Sequence, residues 1–148
     1  MEDLIKKDNI DINVSAIDWK DAVRKAGNIL VDSGDIKEEY IDNMIKAVQD
    51  LGPYMVLTKG FALAHAAPCE AINNTAISLI SLREPVNFGS NNDPVKIVMC
   101  LACKDNSSHM EYIQKVATIL MQEGTMDKLM NSTTIDELYL VINGMKEE

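Results

Sequence analysis

"NTAISLISL" at residues 74–82 and "PVKIVMCLAC" at 94–103 are two nearly continuous apolar runs, rich in β-branched residues. Runs of this length and composition, bounded by turn residues, predict strands buried on both faces. The polar stretch between them, "REPVNFGSNNDP", reads as their connection. Two central strands covered by helices on either side therefore set the frame for the rest of the chain.

Upstream, residues 16 to 31 place Trp19, Ala22, Val23, Ala26, Ile29 and Leu30 at helical spacing before a "DSG" stop. Asp35 with Glu38 has the form of a capping box. It leads into a stripe of Ile36, Tyr40, Ile41, Met44, Ile45 and Val48 that ends at Gly52-Pro53. After that break, "YMVLT" and "FALA" flank Lys59-Gly60, which predicts a β-hairpin with His65 at its far end. From Ser107 the period is helical again, through Met110, Ile113, Val116, Ala117 and Leu120 to Gly124. Two short helices, about 125 to 131 and 134 to 144, complete the reading. Helices, a hairpin, two strands and more helices give a layered α/β domain whose sheet is not wholly parallel. The expectation is a single domain spanning residues 1–148, with no internal repeat and no linker.

Composition narrows the functions. With 14 basic against 23 acidic residues the net charge is −9, and no basic cluster offsets it, so nucleic acid is not an expected partner. The apolar runs fall short of the roughly 18 residues of a membrane helix, and "MEDLIKKDNI" is not a signal peptide. Three cysteines, an odd number, fit reduced thiols in a cytoplasmic protein.

Two histidines, His65 and His109, stand at predicted ends of regular structure, which favours exposure. A lone histidine is most often structural, so the surroundings decide. Residues 51 to 68 contain no Asp or Glu. An imidazole there escapes the anion that would raise its pKa and repel a phosphate, and can stay neutral and nucleophilic near pH 7. Buried strands also lack charge, so the feature alone has two explanations. Ser107 or Ser108 can cap the following helix, with Glu111 completing Ser-x-x-Glu from Ser108, so that the helix begins at His109. A helix N-terminus binds phosphate through free N–H groups and its dipole, which makes Ser107 and Ser108 candidate phosphate contacts. Other chemistries are weaker. Cys100 and Cys103 form C-x-x-C, yet a spacing of three in a strand sends them to opposite faces. No zinc-ligand spacing, Walker A or dinucleotide glycine pattern occurs, so no metal or cofactor is expected.

The segment "GPYMVLTKGFALAHAAP" resembles the active-site region of the enzyme IIA components of the bacterial phosphoenolpyruvate-dependent sugar phosphotransferase system, mannitol/fructose superfamily. The ascorbate-type branch resembles it most. "MIKAVQDLGPYMVLTKGFALAHA", "SLREPVNFGSNNDPVKIVMCLACKD" and "SSHMEYIQKVATIL" follow the family's order and spacing, so the resemblance covers most of the chain. It implies a three-layer α/β/α sandwich around a central mixed β-sheet. It also implies that His65 is the phosphorylated nucleophile and His109 the second active-site histidine, which helps hold the phosphoryl group. The implied donor is the histidine-containing phosphocarrier protein, and the implied acceptor is a cysteine of enzyme IIB. A membrane permease IIC is reached only indirectly, no cofactor is implied, and a homodimer is compatible with the resemblance. Ala64 and Ala67 depart from the pattern, which usually has proline before the reactive histidine and a basic or polar residue two after it. That departure motivates an alternative, a regulatory IIA-like module acting on a transcription factor or kinase. The sugar is not legible in a chain that handles only phosphate; ascorbate enters through the branch resemblance alone.

Overall fold

The structure, a computed structural model, describes residues 4–143. After a 3₁₀ turn at Lys7–Asn9 come β1 (Ile10–Val14), α1 (Trp19–Asp32), α2 (Glu38–Leu51), β2 (Val56–Thr58), β3 (Phe61–Ala64), β4 (Ala76–Val86), β5 (Val95–Ala102), α3 (Asn106–Met121), α4 (Thr125–Asn131) and α5 (Ile135–Ile142). The outermost residues of the expected 1–148 domain, and residue 144 at the expected end of the last helix, lie outside the described ones.

Successive side chains of a strand point to opposite faces, and the central strands sort their apolar residues accordingly. Ala62, Ala64, Ile80, Leu82, Val98, Cys100 and Ala102 share one core with α1 and α2. Phe61, Leu63, Ile77, Leu79, Ile97, Met99 and Leu101 share the other with α3, α4 and α5. Fully burying one such large aliphatic side chain is worth about 1.5–3 kcal/mol, more than the roughly 1 kcal/mol of a ladder hydrogen bond. A one-residue slip would invert both cores, so the side chains hold the register. The sheet order is β1-β4-β5-β3-β2. β1 runs parallel to β4, β4 antiparallel to β5, β5 parallel to β3, and β3 antiparallel to β2. This is the expected α/β/α sandwich on a mixed sheet, with the two long apolar strands at its centre.

The details differ from the sequence reading in four places. The edge strand β1 is absent from the predicted elements, although Ile10, Ile12 and Val14 alternate with Asp11 and Asn13; Asn13 at φ 59° interrupts the ladder there. Residues 83–86, expected as connection, extend β4 to Val86 across an irregular register. The first helix starts at Trp19, capped by Asp18, whose carboxylate accepts the Asp21 N–H at 2.8 Å. The Asp35–Glu38 capping box does not form. Instead α2 begins after Lys37, while the Asp35 backbone carbonyl accepts from the N–H groups of Asn73 and Asn74.

The hairpin forms as expected, with Thr58 paired to Phe61 and Gly60 at φ 84°, a conformation that costs glycine little. Because β3 and β5 are parallel, with Ala64 opposite Cys100, both end on the same sheet edge. Ligand sites in open α/β sheets lie beyond the carboxyl ends of such strands.

Candidate functional site

His65 follows the last residue of β3, and the alternation that sends Phe61 and Leu63 toward α3 continues through it. His109 is the fourth residue of α3, which starts just beyond the end of β5. The parallel pairing of β3 and β5 thus brings together two residues that lie 44 positions apart in the sequence. Their rings meet edge to face, with centroids 5.3 Å apart and planes at 82°. The expectation of exposure is corrected: both histidines are half-buried, because the alternation and the helix start turn them toward each other.

The Nδ1 of His65 lies 2.6 Å from the Leu63 carbonyl oxygen, which can only accept, so in the neutral ring Nδ1 carries the proton. Nε2 is then the unprotonated nitrogen with a free lone pair. Burial holds the His65 pKa below its ordinary value, opposed by the bond to Leu63 and assisted by His109. Burial lowers His109 as well. Nε2 of His109 is buried and has no hydrogen-bond partner among the described residues. An orphaned polar atom of this kind is costly in a site with nothing to bind. The pair therefore offers a neutral nucleophile beside a ring nitrogen in want of a polar partner.

The helix start is not built as the sequence suggested. Asp105, not Ser107 or Ser108, is the N-cap, and its carboxylate accepts the Ser108 N–H at 2.7 Å. The helix opens at Asn106, with Ser107 exposed and Ser108 half-buried in its first turn. A carboxylate accepts two or more N–H groups better than a hydroxyl, and these bonds hold the Asp105 pKa below the usual range. The helix dipole is thus already partly met by an anion of the chain itself, which lessens what Ser107 and Ser108 could offer a phosphate.

Two tyrosines that periodicity marks only as apolar positions, Tyr54 and Tyr40, frame His65. The Tyr54 hydroxyl donates to the His65 carbonyl oxygen at 2.9 Å, and its ring meets the imidazole edge-on with centroids 5.2 Å apart. The fully buried Tyr40 hydroxyl accepts the Ala66 N–H at 2.9 Å and donates to the Leu101 carbonyl at 2.7 Å. A buried tyrosine usually has a partner for its hydroxyl; that rule, applied to Tyr40 in an apolar stripe, was the available signal. Cys100 and Cys103 face opposite cores, as their spacing predicts, and burial pushes their thiols up to about 12 and about 11. Among the described residues no group of three His, Cys, Asp or Glu side chains could hold a metal ion. No helix there is long and apolar enough to cross a membrane.

Known proteins resemble the chain in sequence and fold. The "Ascorbate-specific PTS system EIIA component" of Shigella boydii serotype 4 is 30% identical over 144 residues, covering 96% of this chain and 94% of the relative. The solution structure of the mannitol-specific cryptic phosphotransferase enzyme IIA CmtB from Escherichia coli superposes with a TM-score of 0.85 at 29% identity, covering 95% of each chain. The complex of enzyme IIA-mannitol and phosphorylated enzyme IIB-mannitol from Escherichia coli shares the fold, with a TM-score of 0.82 at 24% identity over 95% of this chain and 97% of that one. The family model for the phosphoenolpyruvate-dependent sugar phosphotransferase system, EIIA 2, matches residues 3–145. With nearly its whole length matched, and two facing histidines at the sheet edge, the chain belongs to the EIIA 2 family of that phosphotransferase system.

Proposed function

We propose that this protein is a cytoplasmic phosphohistidine carrier, with His65 as the residue that takes and gives up the phosphoryl group. The observation that carries this reading is the bond from His65 Nδ1 to the Leu63 carbonyl, which leaves Nε2 as the attacking atom beside His109. The Nε2 lone pair forms a bond to the phosphorus of a donor phosphohistidine. The donor's P–N bond breaks, and its electron pair returns to the donor ring. No water takes part. The transition state of such transfers is loose, so positioning and charge stabilisation supply most of the catalysis. His109 supplies the second contact, and the start of α3 near Ser107 and Ser108 adds a weaker contribution, since Asp105 already caps it.

The donor in this reading is the histidine-containing phosphocarrier protein and the acceptor a cysteine of enzyme IIB, from which the group reaches sugar at the permease. Family membership supports the donor. The complex of a mannitol-type IIA with its phosphorylated IIB supports the acceptor, and the ascorbate-specific relatives make ascorbate the first sugar to try.

The test is incubation with phosphoenolpyruvate, the general enzyme of the system and the phosphocarrier, followed by a search for acid-labile phosphate. Wild-type protein should take label on His65, and enzyme IIB should discharge it. Absence of label, or equal label on His65→Ala, would overturn the proposal.

A further inference from the structure

We propose that Tyr54 and Tyr40 are positioning residues that grip the two ends of the His65–Ala66 peptide unit and so select Nε2 of His65 as the nitrogen that takes phosphate. This rests on the phosphocarrier reading and deepens it. No regular element holds residues 65–69, so the backbone that carries the reactive ring depends on side chains for its orientation. One end of the peptide unit, the His65 carbonyl, accepts from the Tyr54 hydroxyl at 2.9 Å. The other, the Ala66 N–H, donates to the Tyr40 hydroxyl at 2.9 Å. The Tyr40 hydroxyl donates in turn to the Leu101 carbonyl at 2.7 Å, with the Ala66 carbonyl 3.1 Å away. Leu101 belongs to β5, the strand that runs on toward α3 and His109, so the clamp ties the nucleophile to the strand leading to its partner. Burial raises both phenol pKa values, which keeps both hydroxyls protonated and able to donate near neutral pH.

Geometry explains why this controls the choice of nitrogen. The imidazole reaches back two residues to the Leu63 carbonyl, a contact that survives only while the backbone at residue 65 stays in place. The Tyr54 ring adds a wall at 88° to the imidazole. Without the two hydroxyls the peptide plane is free to turn, the ring leaves Leu63, and Nδ1 becomes a competing nucleophile.

The experiment uses phosphoramidate, a small donor that needs no protein partner. Nε2 attacks phosphorus, and ammonia leaves with the electron pair of the broken P–N bond. The proton on Nδ1 stays on the ring. Rate and isomer are followed by phosphorus NMR, with the label assigned to His65 by peptide mapping. Wild-type protein should give the Nε2 isomer alone. The folded Tyr40→Phe/Tyr54→Phe variant should accept phosphate about tenfold more slowly and should yield the Nδ1 isomer as well. A variant with wild-type rate and isomer overturns the clamp. If Tyr40→Phe does not fold, Tyr54→Phe decides by the same criterion, since the Tyr54 side chain is 39% exposed and not part of the core. Nitrogen-15 shifts of unphosphorylated His65 report the tautomer with no donor present. Wild-type protein that takes no phosphate from any donor therefore counts against the carrier function, while an unchanged tautomer in Tyr54→Phe counts against the clamp.

Discussion

At the residue scale, Nε2 of His109 is buried without a hydrogen-bond partner among the described residues, and the carrier reading proposed above gives it one, the phosphoryl group. It also sets stability against function. His109→Leu keeps much of the ring's volume, improves helix propensity and removes an unpaired buried polar atom, so it should stabilise the fold by about 1 kcal/mol. Phosphoryl transfer to His65 should fall about a hundredfold in the same variant, as it does when one stabilising donor is removed. Urea unfolding and single-turnover labelling measure the two effects; a variant that loses stability and keeps its rate would refute the assignment. A second prediction concerns pH. Both histidines are held below the ordinary pKa of about 6.5 by burial. Above that value neither the folded nor the unfolded chain protonates them. Below it the unfolded chain takes up protons that the folded one refuses, so stability falls as pH drops through 6.5 toward the lowered folded values. Urea midpoints between pH 7.5 and 5.5 should decline, and more shallowly in His65→Gln/His109→Gln; equal slopes would contradict the burial of the two rings. At this scale the two histidines stood out as a candidate pair because their residue type, the missing carboxylates and the family pattern agreed, and the structure brings their rings together. The contact of His65 Nδ1 with the Leu63 carbonyl, the Asp105 cap and the two tyrosines were not legible. Each depends on where a single polar atom lands after folding, and apolar periodicity carries no such information.

Among the elements, the hairpin of β2 and β3 carries the heaviest requirement, because β3 delivers His65. Its turn hangs on Gly60, whose N–H donates to the Asn92 carbonyl and whose own carbonyl accepts from Lys96 and Ile97 at the start of β5. The φ of 84° belongs to the left-handed region, and an added Cβ would run into the end of the Met130 side chain. Gly60→Ala should therefore destabilise by about 1–2 kcal/mol through the backbone, with a smaller part from Met130, whose flexible end can move aside. Adding Met130→Ala should recover only that smaller part. Thermal melts of the two variants measure this, and full recovery would show that crowding, not φ, makes the glycine necessary. The Lys59-Gly60 turn and the two central strands were readable because turn chemistry and continuous apolar runs are local signals. β1 is a counterexample. Its alternation lies within five residues, yet it joins the sheet only through β4, some 70 residues later, and Asn13 breaks its ladder. The extension of β4 through Arg83–Val86 was hidden in the same way, since its burial pattern changes where the register with β5 shifts.

On the scale of the whole molecule, the sheet is a partition, and the cysteines show how completely it separates the two cores. Cys100 lies under α1 and α2 at 0% exposure, with its sulfur 3.8 Å from that of Met44; Cys103, at 2%, lies on the α3 side. A disulfide between them would need two side chains on opposite sides of the sheet to meet, which the strand geometry forbids without unfolding. Their thiols, pushed up to about 12 and about 11 by burial, hold almost no thiolate near pH 8. Cys69 is exposed, on the loop after His65. Iodoacetamide at pH 8 should therefore modify one thiol quickly in the native protein and three in urea, and Cys69→Ser should leave none reactive on the fast timescale. Because Cys100 reacts only when the partition opens, its slow alkylation rate should track global stability, rising in Gly60→Ala and falling in His109→Leu. Fast native labelling of either buried thiol would mean that the layers separate locally and that the C-x-x-C pair is open to redox chemistry after all. A slow rate shared by Cys100 and Cys103 would instead make the two cores a single cooperative unit, with His65 and His109 held at the one edge where β3, β5 and α3 meet.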